Sequence, residues 1–209
     1  MSMAAILLAG GKSQRMGQDK ERLRFGTEPL LQRIYESLSR FFSPVIVIAN
    51  NPEHFPLPGI CPIPDRYPDR GPLEGLATGL EHVETASALL VACDMPFLQS
   101  ELLEFLAGQT MDAAAIVPRT RRGTEPLLAI YSRSLLPELR RQLDLGVRSM
   151  QSFLAPITLR ELPPEIIELY DPAGHSFWNL NSPTDYESAL LFLREHFDSA
   201  TPQVRKGVR

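Results

Sequence analysis

The chain alternates between short apolar runs and longer stretches in which apolar residues recur every third or fourth position. The short runs predict strands, because they are too short for helices and end at glycine, proline or polar turns. They occupy residues 4–8, 45–49, 60–63, 86–93, 113–117, 126–131, 158–162 and 177–181. The longest of them, 86–93, is the most apolar, which favours a central position in a sheet covered on both faces.

Helical spacing fills most of the stretches between these strands. Pro29 starts the first predicted helix, in which Leu30, Leu31, Ile34 and Leu38 recur at helical spacing. Further helices are predicted at 73–83, after Ser100, at 134–143, at 149–154 and from Pro183 onward. This order of elements predicts an α/β fold with three layers and a mostly parallel, Rossmann-like sheet. We expect one domain over residues 1–198 and a disordered tail over 199–209.

Composition narrows the class of protein. The chain has 209 residues, 44% of them hydrophobic and 22% charged, as in an ordinary globular protein. Its formal net charge of -4 argues against a general nucleic-acid binder, which is usually basic. Cys61 and Cys93 form no CxxC pair, so a disulfide framework or zinc site is not expected. Without a membrane-length apolar run or a cationic leader, the expected location is the cytoplasm.

The loop after the first strand carries the main chemical signal. It holds Gly10 and Gly11, followed by the cations Lys12, Arg15 and Lys20. Glycines let backbone amides approach a ligand closely, and successive N–H groups form an anion-binding concavity. Neither a Walker A loop nor the dinucleotide pattern GxGxxG is present. The loop therefore predicts polyphosphate binding of another kind.

A carboxylate follows the most apolar strand. Asp94 stands directly after the run 86–93, and Pro96 fixes the turn beyond it. The carboxyl ends of strands in open α/β sheets are where ligands bind, and an ionised group there needs a partner such as a metal. The alternative is that Asp94 only caps the next turn.

Four motifs in order resemble those of one family. They are LAGGxSxRMGxDK at 8–20, GPLxG at 71–75, CDxP at 93–96 and NxN[ST]Px[DE] at 179–185. Together they resemble the molybdenum cofactor guanylyltransferases, members of the nucleotidyltransferase superfamily that includes sugar-nucleotide pyrophosphorylases. The resemblance covers about residues 4–193. It implies the nucleotide-diphospho-sugar transferase type of fold.

The resemblance also implies an activity. The enzyme would transfer GMP from GTP to the terminal phosphate of molybdopterin and release pyrophosphate, with Mg²⁺ as cofactor. Both substrates are small molecules, and transient contact with molybdopterin-delivering and molybdoenzyme-maturation proteins is expected. A cytidylyltransferase for the same cofactor, a sugar-phosphate nucleotidyltransferase and a non-catalytic nucleotide-binding regulator remain alternatives.

Site residues follow from the matched motifs. The resemblance assigns catalysis to Arg15, Lys20 and Asp94, with Asp94 as the metal ligand. It places Asn179 and Asn181 on the metal or acceptor side. The nucleotide-binding residues that it implies are Leu8, Ala9, Gly10, Gly11, Lys20, Asn50, Asp65 and Gly71. The basic segment 119–123, predicted to be a loop, is a candidate for contact with a second anionic substrate.

Overall fold

A mixed β-sheet forms the middle layer of the protein, in a computed structural model that describes residues 3–9, 23–50, 55, 57–68 and 70–196. The strands in these residues are β1 Ala4–Leu8, β2 Arg24–Phe25, β3 Glu28–Pro29, β4 Val45–Ile48, β5 Ser87–Ala92, β6 Ala115–Thr120, β7 Gly123–Thr124, β8 Leu128–Ser132 and β9 Leu159–Leu162. The helices are α1 Leu30–Ser39, α2 Pro72–His82, α3 Ser100–Ala107, α4 Leu136–Asp144, α5 Met150–Leu154, α6 Pro164–Tyr170 and α7 Pro183–His196.

The main sheet has the order β4-β1-β5-β8-β6, with β7 and β9 both paired to β6. Strand β1 pairs in parallel with β4 and β5, and β9 pairs in parallel with β6. Strand β8 is antiparallel to both β5 and β6. Strands β4, β1, β5, β6 and β9 therefore share one direction, which confirms the α/β fold and the mostly parallel sheet.

Helices cover both faces of this sheet. On one face Ile6 and Leu90 belong to an apolar cluster with residues of α2, α4 and α5. On the other face Leu7 and Val91 belong to a cluster with residues of α1, α3, α6 and α7. Because both faces are covered, every residue of β1 and β5 is buried, which explains their continuous apolar sequences. The three-layer prediction is confirmed.

Two strand predictions are wrong. Residues 60–63 form only an isolated bridge, in which Ile63 pairs with Ile48. Pro62 and Pro64 flank Ile63 and supply no N–H to a ladder, so pairing stops there. Residues 177–181 form no strand either: a 3-10 turn spans His175–Phe177, and irregular backbone follows.

The connection after β9 holds a helix that the sequence analysis did not predict. Helix α6 begins at Pro164, and in its seven residues only Ile167 is buried. Ile166, Ile167, Leu169 and Tyr170 do recur at helical spacing, but over only about one and a half turns, which is too short a stretch for the pattern to stand out. Among the described residues, no helix combines the length and apolar character that a bilayer crossing demands.

Candidate active site

Three parallel strands end side by side at one edge of the sheet. The N–H of Ala9 donates to the carbonyl of Ile48 at 2.8 Å, and the N–H of Cys93 donates to the carbonyl of Leu8 at 3.0 Å. The ends of β4, β1 and β5 are thereby fixed together. Leu8 and Ala9 are buried and lead directly into the predicted phosphate loop. Gly10, Gly11, Arg15 and Lys20 lie outside the described residues, and their roles remain predictions.

Asp94 lies at the end of β5 and is half-buried. Its carbonyl accepts a hydrogen bond from the N–H of Leu180 at 2.9 Å. Leu180 stands between Asn179 and Asn181, so this bond brings the predicted acceptor-side asparagines to the backbone of Asp94. The structure thus joins two predicted site segments that lie far apart in the sequence.

The asparagine segment is held from its other end by the start of α7. The Asp185 carboxylate accepts hydrogen bonds from the N–H groups of Asn181 and Ser182, at 3.0 and 2.9 Å. The Ser182 hydroxyl in turn accepts from the N–H of Asp185 at 3.1 Å. This reciprocal arrangement resembles a capping box and confirms Ser182 as the predicted cap. It fixes the position of Asn181 relative to the start of α7.

Asn50 and Asp65 form a hydrogen-bonded pair beyond β4. The Asn50 amide donates to Asp65 Oδ2 at 3.1 Å, and the Asp65 N–H donates to Asn50 Oδ1 at 2.9 Å. Burial raises the pKa of Asp65 above its ordinary value, Glu74 acts in the same direction, and Asn50 and Arg140 oppose them. The sequence-based prediction placed both residues at the nucleotide, and the structure places them in contact with each other.

Helix α2 approaches the strand ends very closely. Gly71 precedes the helix with a φ of 77°, a conformation that favours glycine. A Cβ on Gly75 would lie 2.7 Å from the Leu8 side chain and 3.6 Å from Asp65 Oδ1. A Cβ on Gly79 would lie 2.5 Å from the side chain of Ile6. The glycine spacing therefore serves the packing of α2 on β1.

A buried ion pair lies beneath this region, and the sequence analysis missed it. Glu74 is fully buried, and its carboxylate accepts from Arg140 Nη1 at 2.5 Å. Arg140 Nε donates to Glu81 at 2.9 Å. The available signal was the position of Glu74 between Leu73 and Gly75, on a stretch of α2 that is otherwise apolar or small. Nothing in the sequence pointed to its partner, which lies 66 residues away.

The basic segment is a hairpin, which partly corrects the predicted loop. Arg119 belongs to β6, where its guanidinium pairs with Glu161 at 2.9 Å. Arg121 lies at the turn and pairs with Glu168 at 3.0 Å. The hairpin borders a cavity of about 380 Å³, whose other wall includes Ile167 and Phe177. Because carboxylates already pair with Arg119 and Arg121, contact with a second anionic substrate remains a prediction.

Comparison with known proteins identifies the family. The model of the MobA-like NTP transferase domain matches residues 5–162. The chain belongs to the MobA-like NTP transferases. It is accordingly a nucleotidyltransferase, a class that is generally dependent on a divalent metal ion. The matched range contains the ends of β1, β4 and β5, the Asn50–Asp65 pair and Asp94.

Relatives of this MobA-like NTP transferase extend over nearly its whole length. A protein of Chloroflexus aggregans named probable molybdenum cofactor guanylyltransferase is 36% identical over 92% of this chain and 96% of its own length. A protein of Nostoc sp. with the same name is 35% identical over 96% and 95%. The crystal structure of molybdopterin-guanine dinucleotide biosynthesis protein A from Archaeoglobus fulgidus superposes with a TM-score of 0.80. It is 26% identical to this chain and covers 92% of it and 100% of the solved chain.

Proposed function

We propose that the protein transfers GMP from GTP to the terminal phosphate of molybdopterin, forming molybdopterin guanine dinucleotide and pyrophosphate. The names of the similar proteins support this reaction. The observation that carries it is the meeting of two residue groups at one sheet edge. Asn50 and Asp65 lie beyond the end of β4, whereas Asp94 lies at the end of β5 with the asparagine segment bonded to its backbone. The start of the phosphate loop lies between them, at the end of β1.

The nucleotide is proposed to bind across the ends of β1 and β4. Leu8 and Ala9 lead into the loop, and Asn50 with Asp65 offers amide and carboxylate groups that suit a nucleoside. Backbone amides of Gly10 and Gly11, together with the cations Arg15 and Lys20, would stabilise the β- and γ-phosphates as pyrophosphate leaves. Gly71 would allow close approach at the start of α2.

The acceptor needs little chemical activation. A phosphate monoester is already largely ionised near neutral pH, because its second pKa is about 6. One of its oxygens attacks the α-phosphorus of GTP, the bond between the α-phosphorus and the bridging oxygen breaks, and pyrophosphate carries away the electron pair. The protein's contribution is therefore alignment of the two phosphates and neutralisation of their charge.

We propose that the divalent metal is Mg²⁺ and that Asp94 holds it. Among the described residues, no group of three or more His, Cys, Asp or Glu side chains forms a metal cage. Mg²⁺ commonly binds through one or two carboxylates, substrate phosphates and water. A half-buried Asp94 with Asn179 and Asn181 beside its backbone fits that mode. Mg²⁺ would neutralise the phosphates and order them for displacement.

Protein partners are part of the proposal. Molybdopterin and its guanylylated product would pass between this enzyme and others, so transient contacts with molybdopterin-delivering and molybdoenzyme-maturation proteins are expected. GTP is a cytoplasmic metabolite, so we also propose the cytoplasm as the place of the reaction.

A substrate panel tests the proposal. The protein is incubated with molybdopterin, Mg²⁺ and each of GTP, CTP, ATP and UTP in turn, and both pyrophosphate and dinucleotide are measured. We expect product with GTP and at least about tenfold less with the other nucleotides. Preference for CTP would assign a cytidylyltransferase instead. The panel is repeated with a sugar phosphate in place of molybdopterin, and turnover only there would assign a sugar-phosphate enzyme. Nucleotide binding measured by calorimetry, without any pyrophosphate release, would indicate a regulator.

A further inference from the structure

We propose that Glu74 and Arg140 are positioning residues that hold the Asp65 carboxylate in place for nucleotide binding. This inference rests on the proposed function, because it takes the Asn50–Asp65 pair as part of the nucleotide site. Neither residue lies in the edge where the strand ends meet. Their effect on the nucleotide would be transmitted through α2.

The ion pair between Glu74 and Arg140 has short contact distances, but it lies where burying charge costs free energy. Glu74 has no exposed surface, and the Arg140 side chain is 19% exposed. Arg140 Nη1 lies 2.5 Å from Glu74, and Arg140 Nε lies 2.9 Å from Glu81. One guanidinium thus connects two carboxylates of α2 to α4. Removing charges of this kind from water costs free energy that their attraction often fails to recover. An apolar pair would serve stability as well, which points to a role beyond packing.

Helix α2 packs directly against the segment that contains Asp65. Gly75 is next to Glu74, and its Cα hydrogen faces Asp65 Oδ1, to which a Cβ would come within 3.6 Å. The Thr78 hydroxyl accepts from the N–H of Arg66 at 3.4 Å, and Arg66 Nη1 lies 3.8 Å from Glu81. The helix therefore contacts the segment at Asp65 and at the residue after it. A shift of α2 relative to α4 would move the carboxylate.

Electrostatic interactions also link Asp65, Glu74 and Arg140. Within the part of the chain that the structure describes, Asp65 Oδ1, Glu74 Oε2 and Arg140 Nη2 are buried atoms without a hydrogen-bond partner. The charges of Glu74 and Arg140 act on the partly buried Asp65 carboxylate. Burial and Glu74 raise the pKa of Asp65, whereas the Asn50 hydrogen bond and Arg140 lower it. Arg140 thus favours the ionised carboxylate that accepts N–H groups of a ligand, and Glu74 opposes it.

These opposite signs provide a test. GTP binding to the full-length protein is measured by calorimetry between acid and neutral pH for the wild type, Arg140→Gln and Glu74→Gln. Because loss of Arg140 removes a favourable positive charge, we expect GTP affinity at neutral pH to fall about tenfold. The acid limb, which is the pH range over which GTP affinity declines on acidification, should move to higher pH. Loss of the Glu74 charge should move that limb to lower pH.

The chain supplies a matched control next to Arg140. Arg141 pairs with Glu138 on the exposed side of the same helix, with distances of 2.8 and 2.6 Å. Arg141→Gln should leave GTP affinity and its pH dependence unchanged. Arg140→Lys keeps the positive charge but loses the guanidinium that reaches both Glu74 and Glu81. It should keep the acid limb of the wild type and bind GTP more tightly than Arg140→Gln does.

Two results would overturn the inference. One is a shift of the acid limb in the same direction in Arg140→Gln and Glu74→Gln, since a merely structural role would affect both alike. The other is an Arg140→Gln profile that matches Arg141→Gln. If Arg140→Gln does not fold, Glu74→Gln is compared with Arg140→Lys: the acid limb should move to lower pH in the first and stay at the wild-type position in the second, and equal limbs would overturn the inference. Failure of the proposed function looks different: the wild type binds GTP but forms no dinucleotide.

Discussion

At the scale of single residues, the proposed role of Asp94 can be tested most directly. We expect Asp94→Ala to abolish pyrophosphate release with Mg²⁺ present, because no other described carboxylate stands at the end of β5. The fold should persist, since the Leu180 N–H bonds to the backbone carbonyl and not to the side chain. Pyrophosphate release and the far-UV circular dichroism spectrum are the two measurements. Normal turnover in the variant would remove Asp94 from the reaction.

Asp65 should show a trade-off between stability and binding. Its raised pKa means that the folded protein holds a proton more tightly there than the unfolded chain. Stability associated with Asp65 is therefore present below the ordinary carboxyl pKa of 3.8, is lost as pH rises through the raised folded value, and stays lost at neutral pH. Asp65→Asn removes the charge and keeps groups able to pair with Asn50.

We accordingly expect Asp65→Asn to melt at a higher temperature than the wild type at neutral pH, with the gain vanishing in acid. GTP affinity should fall about ten- to hundredfold, as for loss of a hydrogen bond to a charged group. Thermal melts at several pH values and calorimetric titration with GTP measure the two effects. A lower melting temperature at neutral pH would contradict the argument.

At the scale of elements, the contact between α2 and β1 depends on glycine. A Cβ on Gly79 would lie 2.5, 2.7 and 2.8 Å from three atoms of Ile6, which is itself fully buried. Gly79→Ala should destabilise the protein by about 1–3 kcal/mol through overpacking, less roughly 1 kcal/mol gained in helix propensity. Denaturant unfolding measures the free-energy change.

Gly108 provides the comparison for that variant. It lies at the end of α3 with φ of -81°, and a Cβ there would have its nearest neighbour at 3.6 Å, an ordinary contact. Gly108→Ala should leave the free energy of unfolding nearly unchanged. Equal stability of the two alanine variants would mean that α2 can shift away from β1 at no cost.

The success of sequence-based prediction also varied by element. Residues 4–8 and 86–93 were predicted correctly because both faces of β1 and β5 are covered, which makes every position apolar. Residues 177–181 misled because Trp178 and Leu180 alternate with Asn179 and Asn181 as in an edge strand, whereas Phe177 ends a 3-10 turn and irregular backbone follows. A local apolar pattern does not distinguish a buried turn from a strand.

At the scale of the whole molecule, the edge that holds the candidate site was predictable and its interior supports were not. Parallel strands place their carboxyl ends together, so Ala9, Asn50 and Asp94 had to meet once the strands were identified. The pairing of Glu74 with Arg140 has no such rule behind it. It depends on how α2 and α4 pack, and polar residues on packed helices carry no periodic signal that names a partner.

The antiparallel strand β8 divides the sheet into two parts, one formed by earlier and one by later residues of the chain. Everything from β1 to Asp94 forms the part that would hold the nucleotide, whereas β6, β7 and β9 come from later residues and are joined to it within the sheet through β8. A lengthened or recharged hairpin after β6 would leave the pairing of β1 with β4 and β5 untouched. If the hairpin contacts the acceptor as predicted, its sequence could change acceptor preference without altering the strands that would hold the nucleotide.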